Sequence, residues 1–188
     1  DFFPALRDDV TIDGNVIAVP YRMDLRSFWY RKDHLEEAGL EVPTNWDELE
    51  AAAIALTQRE GDTITREGFH LSGPGYPGGW QLDLQAYMVF MHQAGGQVLS
   101  DDLTKCTLNE PPAVEALEFL QKLILEHKVQ PYPGFEVQGN LGPLEAGLAS
   151  TTVHRADPSF NAAQYAPDQA DALVITEPLT GPEKKATQ

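Results

Sequence analysis

The stretch GPGYPGGW, residues 73–80, places two aromatic side chains in a segment too rich in Gly and Pro to form a helix or a strand. Glycines let a backbone approach a ligand closely, and a proline limits the entropy that a loop loses on binding. Tyr76 and Trp80 are therefore candidate ligand contacts. The residues that give the loop its character are Gly75, Pro77, Gly78 and Gly79. The alternative for Trp80 is that it opens the following helix and packs inward as a hydrophobic staple.

Three charged residues, Arg22, Asp24 and Arg26, lie between two apolar runs. A carboxylate at Asp24 can accept hydrogen bonds from two adjacent hydroxyl groups of a ligand, whereas the two arginines can select an anionic ligand. The alternative is that Asp24 pairs with one of the arginines at an exposed strand end, where an ion pair contributes little to stability.

A third candidate group is the segment VHRADPSF, residues 153–160, which follows a predicted strand. His154 and Arg155 can donate hydrogen bonds to hydroxyl or carboxylate groups, and Asp157 can accept them. The alternative for each of these residues is a place in a solvated loop.

No motif in the sequence indicates catalysis or a bound metal. The chain lacks a GxSxG elbow, a GxxxxGK[ST] loop and a GxGxxG pattern after a strand. Its histidines show no HxH or HExxH spacing, and Cys106 is the single cysteine. The 29 Asp and Glu residues could supply the two carboxylates of a glycoside hydrolase, but their abundance places no pair across one bond. We therefore predict no catalytic residue, no cofactor and no metal site.

The composition is typical of one ordinary soluble domain. The chain has 188 residues, of which 42% are hydrophobic and 22% charged, enough to bury a real core. The formal net charge of -16 disfavours nucleic acid as a partner, because phosphate binding requires Lys and Arg. No apolar run approaches the ~18 residues of a membrane span. The chain starts at Asp1 rather than at Met, which suggests a processed protein or an excised piece.

Local patterns predict alternating strands and helices, and hence an α/β domain. The strand candidates are residues 15–21, 25–31, 68–72, 150–155 and 172–179. The helix candidates are residues 32–38, 46–60, 81–96, 113–128, 143–149 and 159–166.

Two of the helices carry the clearest local signals. Asn45 is a predicted N-cap, with Glu48 reaching back from the third helical position, and Gly39 and Gly61 are predicted to end the first two helices. Apolar residues at helical spacing then follow: Trp46, Leu49, Ala53 and Leu56. We expect Trp46 and Trp29 to pack in the core or on the surface of the domain rather than to bind a ligand.

The later helices are predicted from their apolar faces. Residues 81–96 are apolar over much of the helix circumference, which predicts a central position. Residues 98–112 are predicted to form a small hairpin or loop, in which Asn109 and the two prolines that follow prepare a helix start. The predicted apolar stripe of residues 113–128 consists of Val114, Leu117, Leu120, Leu123 and Ile124.

The order of several segments resembles extracellular solute-binding protein family 1, the sugar-capturing components of ABC importers. The segments are NVIAVPYRMDLRSFWYRKDHLEEAGLEVPTNWDELEAAAIALT, the aromatic Gly-rich loop, AGGQVL, AVEALEFLQKLI and PLEAGLASTTV. Together they cover nearly the whole chain, so the resemblance is more specific than any single motif.

The resemblance implies a periplasmic-binding-protein-like type II fold, in which two lobes joined by crossing strands hold a ligand between them. Because family members are about twice this length, the chain would be mainly the second lobe, with crossing strands at both ends. Residues 1–21 would be the lead-in and entering strand, 22–171 the body of the lobe, and 172–188 the return strand and tail.

The resemblance also implies a function. The protein would bind a mono- or oligosaccharide, dock on an ABC-importer permease, and be exported to the periplasm or the cell surface, with or without a lipid anchor. Family members commonly place ring-stacking aromatics in the loop that aligns with Tyr76 and Trp80, and often an acid where Asp24 falls.

The chain departs from the family pattern at residues 154–157. Family members commonly have a Trp here, whereas the nearest aromatic residue of this chain is Phe160. Because of this departure and of the arginines near Asp24, uronic acids and sugar phosphates remain alternative ligands to neutral sugars. The alternative functions are a carbohydrate-active enzyme domain and a protein-interaction module.

Overall fold

Five strands form the central mixed sheet. The computed structural model of the chain describes residues 3–21, 25–71, 79–132, 134–135, 137, 141–154 and 157–183. A separate antiparallel pair consists of β1 (Thr11–Ile12) and β2 (Asn15–Val16). The sheet strands are β3 (Ser27–Arg31), β4 (Gln58–Glu60), β5 (Thr63–His70), β6 (Ala149–His154) and β7 (Leu173–Thr176). Their order is β4-β5-β6-β3-β7, with β5 and β6 parallel and the other neighbours antiparallel.

The helices alternate with these strands, which confirms the predicted α/β class. They are α1 (Pro4–Asp9), α2 (Lys32–Ala38), α3 (Trp46–Leu56), α4 (Gly79–Gln93), α5 (Pro111–Gln121), α6 (Asp157–Tyr165) and α7 (Pro167–Ala170). A π-helical turn, Lys122–Glu126, continues α5. Within the described ranges, none of the helices has the length and apolar character needed to cross a membrane.

Aromatic side chains from three helices and β5 meet in the core. Trp46 stacks on Phe119 with ring centroids 4.6 Å apart and is tilted against Phe90 at 5.5 Å. Phe90 meets Phe69 edge-on at 6.1 Å. The central position predicted for α4 is therefore confirmed, as is burial of Trp46 and of Trp29.

Helix α3 packs very closely on β5. A Cβ at Gly68 would lie 1.8 Å from the carbonyl oxygen of Ala53, so no larger residue fits at this point of the strand. The Asn45 side chain accepts a hydrogen bond from the Glu48 amide at 3.0 Å, which confirms the N-cap. The Glu48 carboxylate reaches back one residue further than predicted, to the amide and hydroxyl of Thr44.

The predicted end of this helix at Gly61 is wrong. The helix ends at Leu56, and Gly61 occupies the turn between β4 and β5 with φ of 61°. The chain forms a hairpin here because the left-handed conformation suits a tight turn. Gly39, by contrast, ends α2 in the left-handed conformation as predicted, with φ of 65°.

The predicted strand at residues 15–21 is also wrong beyond Val16. A run of β-branched residues forms a strand where a neighbouring strand supplies hydrogen bonds, and none of the described strands lies beside residues 17–21. The apolar side chains of this run are exposed, up to 99% for Tyr21.

Two further predictions need correction. Helix α5 begins at Pro111 and buries Ala113 and Ala116, whereas Val114 and Leu117 of the predicted stripe are exposed. The small alanines allow α5 to approach α4, where the Tyr87 hydroxyl donates to the Ala113 carbonyl at 3.1 Å.

The helix predicted at residues 143–149 is wrong: residues 143–147 form turns, and Ala149 already belongs to β6. The amides of Leu148 and Ala149 both donate to the Pro143 carbonyl, and Gly147 has a φ of 76°. A left-handed residue within so short a segment prevents a continuous helix. The predicted strands at 25–31, 150–155 and 172–179 are confirmed as β3, β6 and β7, each within shorter limits.

Candidate functional site

The strand register places the termini of four strands at one end of the sheet. Ser27 at the start of β3 pairs with His154 at the end of β6, and His70 at the end of β5 pairs with Thr152. Thr176 at the end of β7 pairs with Phe28. We call this end, formed by Ser27, His70, His154 and Thr176, the upper end of the sheet.

In the sequence, each of the three predicted groups precedes or follows one of these strand ends. Arg22 and Asp24 precede β3, Tyr76 and Gly78 follow β5, and Arg155 follows β6, but all five lie outside the described residues. His154 itself is half-buried.

Two helices continue from these segments. Gly79 and Trp80 form the beginning of α4, and Asp157 is the first residue of α6. The side chains of Trp80 and Asp157 lie outside the description. A carboxylate at the first position of a helix suits the partial positive charge of the helix N-terminus. The stacking and staple alternatives for Trp80 both stay open as predictions.

One contact joins a residue of a candidate group to α4. The Arg26 guanidinium donates a hydrogen bond to the Gln85 side chain, so the residue before β3 is tied to the second turn of α4. Leu25 and Leu84, next to these two residues, are exposed. The contact therefore lies beside apolar surface that remains open.

A buried polar cluster lies at the end of β5. Glu67 is fully buried, and its Oε2 accepts from His70 Nδ1 at 2.6 Å, while its Oε1 accepts from the Phe135 amide at 3.0 Å. The buried Gln130 accepts from the Leu71 amide at 2.6 Å. Sequence reasoning missed Glu67 and Gln130, because no local pattern distinguishes them from the other acidic and amide residues of the chain.

A second buried carboxylate, Glu145, has a raised pKa. Burial raises it, and hydrogen bonds from its own amide, the Asn161 side chain and the Gly142 amide oppose the shift, as does the charge of His70. Only 4% of Glu145 is exposed. The protonated form is thus favoured more strongly here than in a solvated carboxyl group.

A surface groove of about 1030 Å³ lies between α3 and α5 and contains none of the predicted site residues. Several carboxylates line it, but that of Glu50 is already paired with Lys122 at 2.7 Å and with His127 at 2.8 Å. The aromatic residues in its lining, Trp46 and Phe119, stack on each other. The groove therefore offers a weaker case for a ligand site than the upper end does.

The sequence matches known proteins over nearly its whole length. The profile of the bacterial extracellular solute-binding proteins matches residues 1–180. A probable ABC transporter-binding protein of Deinococcus radiodurans is 32% identical over 124 residues, which are 65% of this chain and 29% of that protein.

Solved structures share the fold. Maltose-bound MalE3 of T. maritima superposes with a TM-score of 0.80 at 27% identity, covering 99% of this chain and 46% of that one. The cyclic α-maltosyl-1,6-maltose binding protein of Arthrobacter globiformis gives a TM-score of 0.74 at 27% identity, covering 97% and 44%. The chain thus spans less than half the length of the proteins it matches.

Proposed function

Because the chain belongs to the family of bacterial extracellular solute-binding proteins, we propose that it forms one lobe of a carbohydrate receptor of an ABC importer. The observation that carries this proposal is the strand register, in which β3 begins and β5 and β6 end at the upper end of the sheet. It supports the proposal because the three predicted ligand-binding segments precede or follow these strand ends in the sequence. Ligands of open α/β sheets bind in crevices at strand ends, where loops converge, and closure of a second lobe would complete such a crevice.

The division of the chain follows from this proposal. Residues 1–21 are the lead-in and entering strand, 22–171 the body of the lobe, and 172–188 the return strand and tail. The exposed apolar residues Ile17, Val19 and Tyr21 support this division, because a second lobe would cover this apolar surface. Thr176 at the upper end supports it as well, since β7 ends where the second lobe would lie.

The proposed ligand contacts come from the three groups. Asp24 accepts hydrogen bonds from sugar hydroxyls and Arg22 donates them, while Tyr76 or Trp80 lies against the apolar face of a sugar ring. Gly78 and Gly79 permit close approach of the backbone. The donors and acceptors at the end of β6 are His154, Arg155 and Asp157.

The ligand class is supported by the relatives. MalE3 of T. maritima holds maltose, and the Arthrobacter globiformis protein binds cyclic α-maltosyl-1,6-maltose. We propose that this chain also helps to bind a mono- or oligosaccharide, without catalysis, cofactor or metal. An ABC-importer permease is its proposed partner, and the periplasm or cell surface its proposed location.

Calorimetry tests the proposal on a longer protein that contains this chain and a second lobe. Maltose, laminaribiose, glucuronic acid and glucose 6-phosphate are titrated, and the same mixtures are assayed for reaction products. We expect saturable binding of at least one of the neutral sugars or anionic analogues with no product. Product formation would show that the protein is an enzyme instead.

A second titration tests the two-lobed cleft. Residues 1–188 alone should bind the same sugar at least about 100-fold more weakly, since one wall of the cleft and about 3 kcal/mol of contacts would be lost. Equal affinity of the chain alone would contradict the two-lobed account.

A further inference from the structure

We propose, on the basis of the proposed function, that Glu67 and Gln130 are positioning residues of the carbohydrate cleft. Neither residue belongs to the predicted contact set. Their buried side chains fix the backbone at Leu71 and at Phe135, two points beside the upper end of the sheet. Leu71 is the last described residue before the loop that carries Tyr76.

Both oxygens of the Glu67 carboxylate accept hydrogen bonds. One oxygen binds His70, the final residue of β5, and the other binds the Phe135 amide. Residues 134–135 are thereby tied to the strand end. A Cβ built on Gly134 would lie 3.5 Å from Glu67 Oε1 and 3.6 Å from His70 Cε1, so the backbone at Gly134 covers this pair closely.

Gln130 contacts both Leu71 and the backbone near Gly134. Its Oε1 accepts from the Leu71 amide, and its Nε2 lies 3.7 Å from the same Cβ position on Gly134. Leu71 follows β5, and Phe135 lies outside every described strand and helix. Side-chain acceptors therefore replace the partners that a strand ladder would give these two amides.

The polar character of the cluster favours a positioning role. A buried carboxylate and imidazole are costly to desolvate, and apolar residues of similar volume often stabilise a fold as well or better. Hydrogen bonds, unlike apolar contacts, define one arrangement of the groups that they join. A binding site requires its supporting residues to hold such geometry within about 0.5 Å.

Amide hydrogen exchange in the longer protein, followed residue by residue by NMR, tests the proposal without any ligand. In Glu67→Met the Phe135 amide should exchange at least about tenfold faster, and in Gln130→Met the Leu71 amide should do so, because each loses its acceptor. Glu67→Gln keeps an acceptor oxygen and should restore slow exchange at Phe135. If Glu67→Met fails to fold, the other two variants still decide the result.

Glu145→Gln is the matched control. It also removes a buried carboxylate, but one that accepts its hydrogen bonds from Asn161, Gly142 and its own amide and interacts with the cluster only through the charge of His70. In Glu145→Gln, the amide hydrogen-exchange rates of Leu71 and Phe135 should stay within about twofold of those in the unmodified protein. Equal acceleration in this control, or none in the Met variants, would overturn the positioning role.

Sugar affinity separates this inference from the function on which it rests. With maltose or laminaribiose as the probe, Glu67→Met and Gln130→Met should weaken binding about tenfold or more, while Glu67→Gln and Glu145→Gln stay near the unmodified value. If the unmodified protein binds none of the sugars tested, the proposed function fails, and the exchange rates still show whether the two segments are fixed. If that protein binds and the Met variants bind equally well, the positioning role is wrong.

Discussion

The two ends of the central sheet differ in how their polar groups are satisfied. At the lower end, where β3 finishes and β6 begins, Arg31 is only 3% exposed and donates to Asp33 at 2.6 Å, to Gln169 at 2.7 Å and to the Leu144 carbonyl. His34 contacts the Ser150 hydroxyl at 3.0 Å nearby. At the upper end the four residues that define it are all half-buried, and the chain continues into loops.

This contrast indicates a division of work between stability and binding. The enclosed and mutually paired groups of the lower end stabilise the fold, and changing them should alter the free energy of unfolding without altering ligand affinity. Groups on loops at strand ends can be changed with little cost in stability, and they are the ones that reach a ligand. The predictions below test this division.

The largest effect on the free energy of unfolding is expected from His34. Burial lowers its pKa to about 4, and the neighbouring guanidinium groups of Arg66 and Arg31 add to the shift. The unfolded chain, with an ordinary His pKa near 6.5, binds the proton first as pH falls, so stability is complete above pH ~6.5 and is lost down to pH ~4. The loss amounts to at most ~3 kcal/mol.

Urea unfolding at several pH values measures this loss. His34→Gln retains a polar partner for Ser150 but cannot ionise, so its stability should change less between pH ~6.5 and ~4 than that of the unmodified protein. Other titrating groups are shared by both proteins and cancel in the difference. Parallel pH curves for the two proteins would refute a neutral buried His34.

Glu145 should show the opposite sign. Because its pKa is raised in the folded protein, the folded state binds the proton more tightly, and stability falls as pH rises through the window above the ordinary Glu value. Glu145→Gln should remove this component of the pH dependence. Unfolding curves that keep the same slope after the substitution would contradict the assignment.

The next effect concerns Arg31. Arg31→Met keeps much of the aliphatic stem but leaves Gln169 and the Leu144 carbonyl without this donor, which should cost about 2 kcal/mol. Thermal or urea unfolding measures the loss. Sugar affinity of the longer protein should be unchanged; a large loss of affinity would break the proposed separation of the two ends.

Arg59→Met is the control for this change. Arg59 also donates to carbonyl groups, those of His127 and Lys128, but these contacts are exposed. The expected loss is below ~1 kcal/mol, because water replaces the lost donor.

The smallest effect on stability is expected at Trp80. If its ring faces the cleft, Trp80→Ala should change the free energy of unfolding by less than ~1 kcal/mol and weaken sugar binding about tenfold. Trp29→Ala is the comparison, since Trp29 is buried in β3 and should lose the ~3 kcal/mol or more typical of a core aromatic. A loss of that size at Trp80 would favour the hydrophobic staple.

Local signals predicted much of the fold. The N-cap at Asn45 and the C-cap at Gly39 depend on hydrogen bonds and φ angles within a few residues, so the sequence around them suffices. The α5 stripe was partly wrong because helical periodicity shows that a face is apolar, but not whether alanines or larger residues meet the neighbouring helix. The strand predicted at residues 17–21 is wrong because a strand depends on a partner that is distant in sequence.

The sequence by itself determined the N-cap at Asn45, the C-cap at Gly39, the alternation of strands and helices, and the family to which the order of segments belongs, since these depend on local hydrogen bonding and on segment order. Only the tertiary structure decided that β3 begins and β5 and β6 end at the same end of the sheet, and that Glu67 and Gln130 bind the Phe135 and Leu71 amides. The reason is physical: strand register and buried polar contacts join residues more than 50 positions apart, and no local pattern encodes such a pairing.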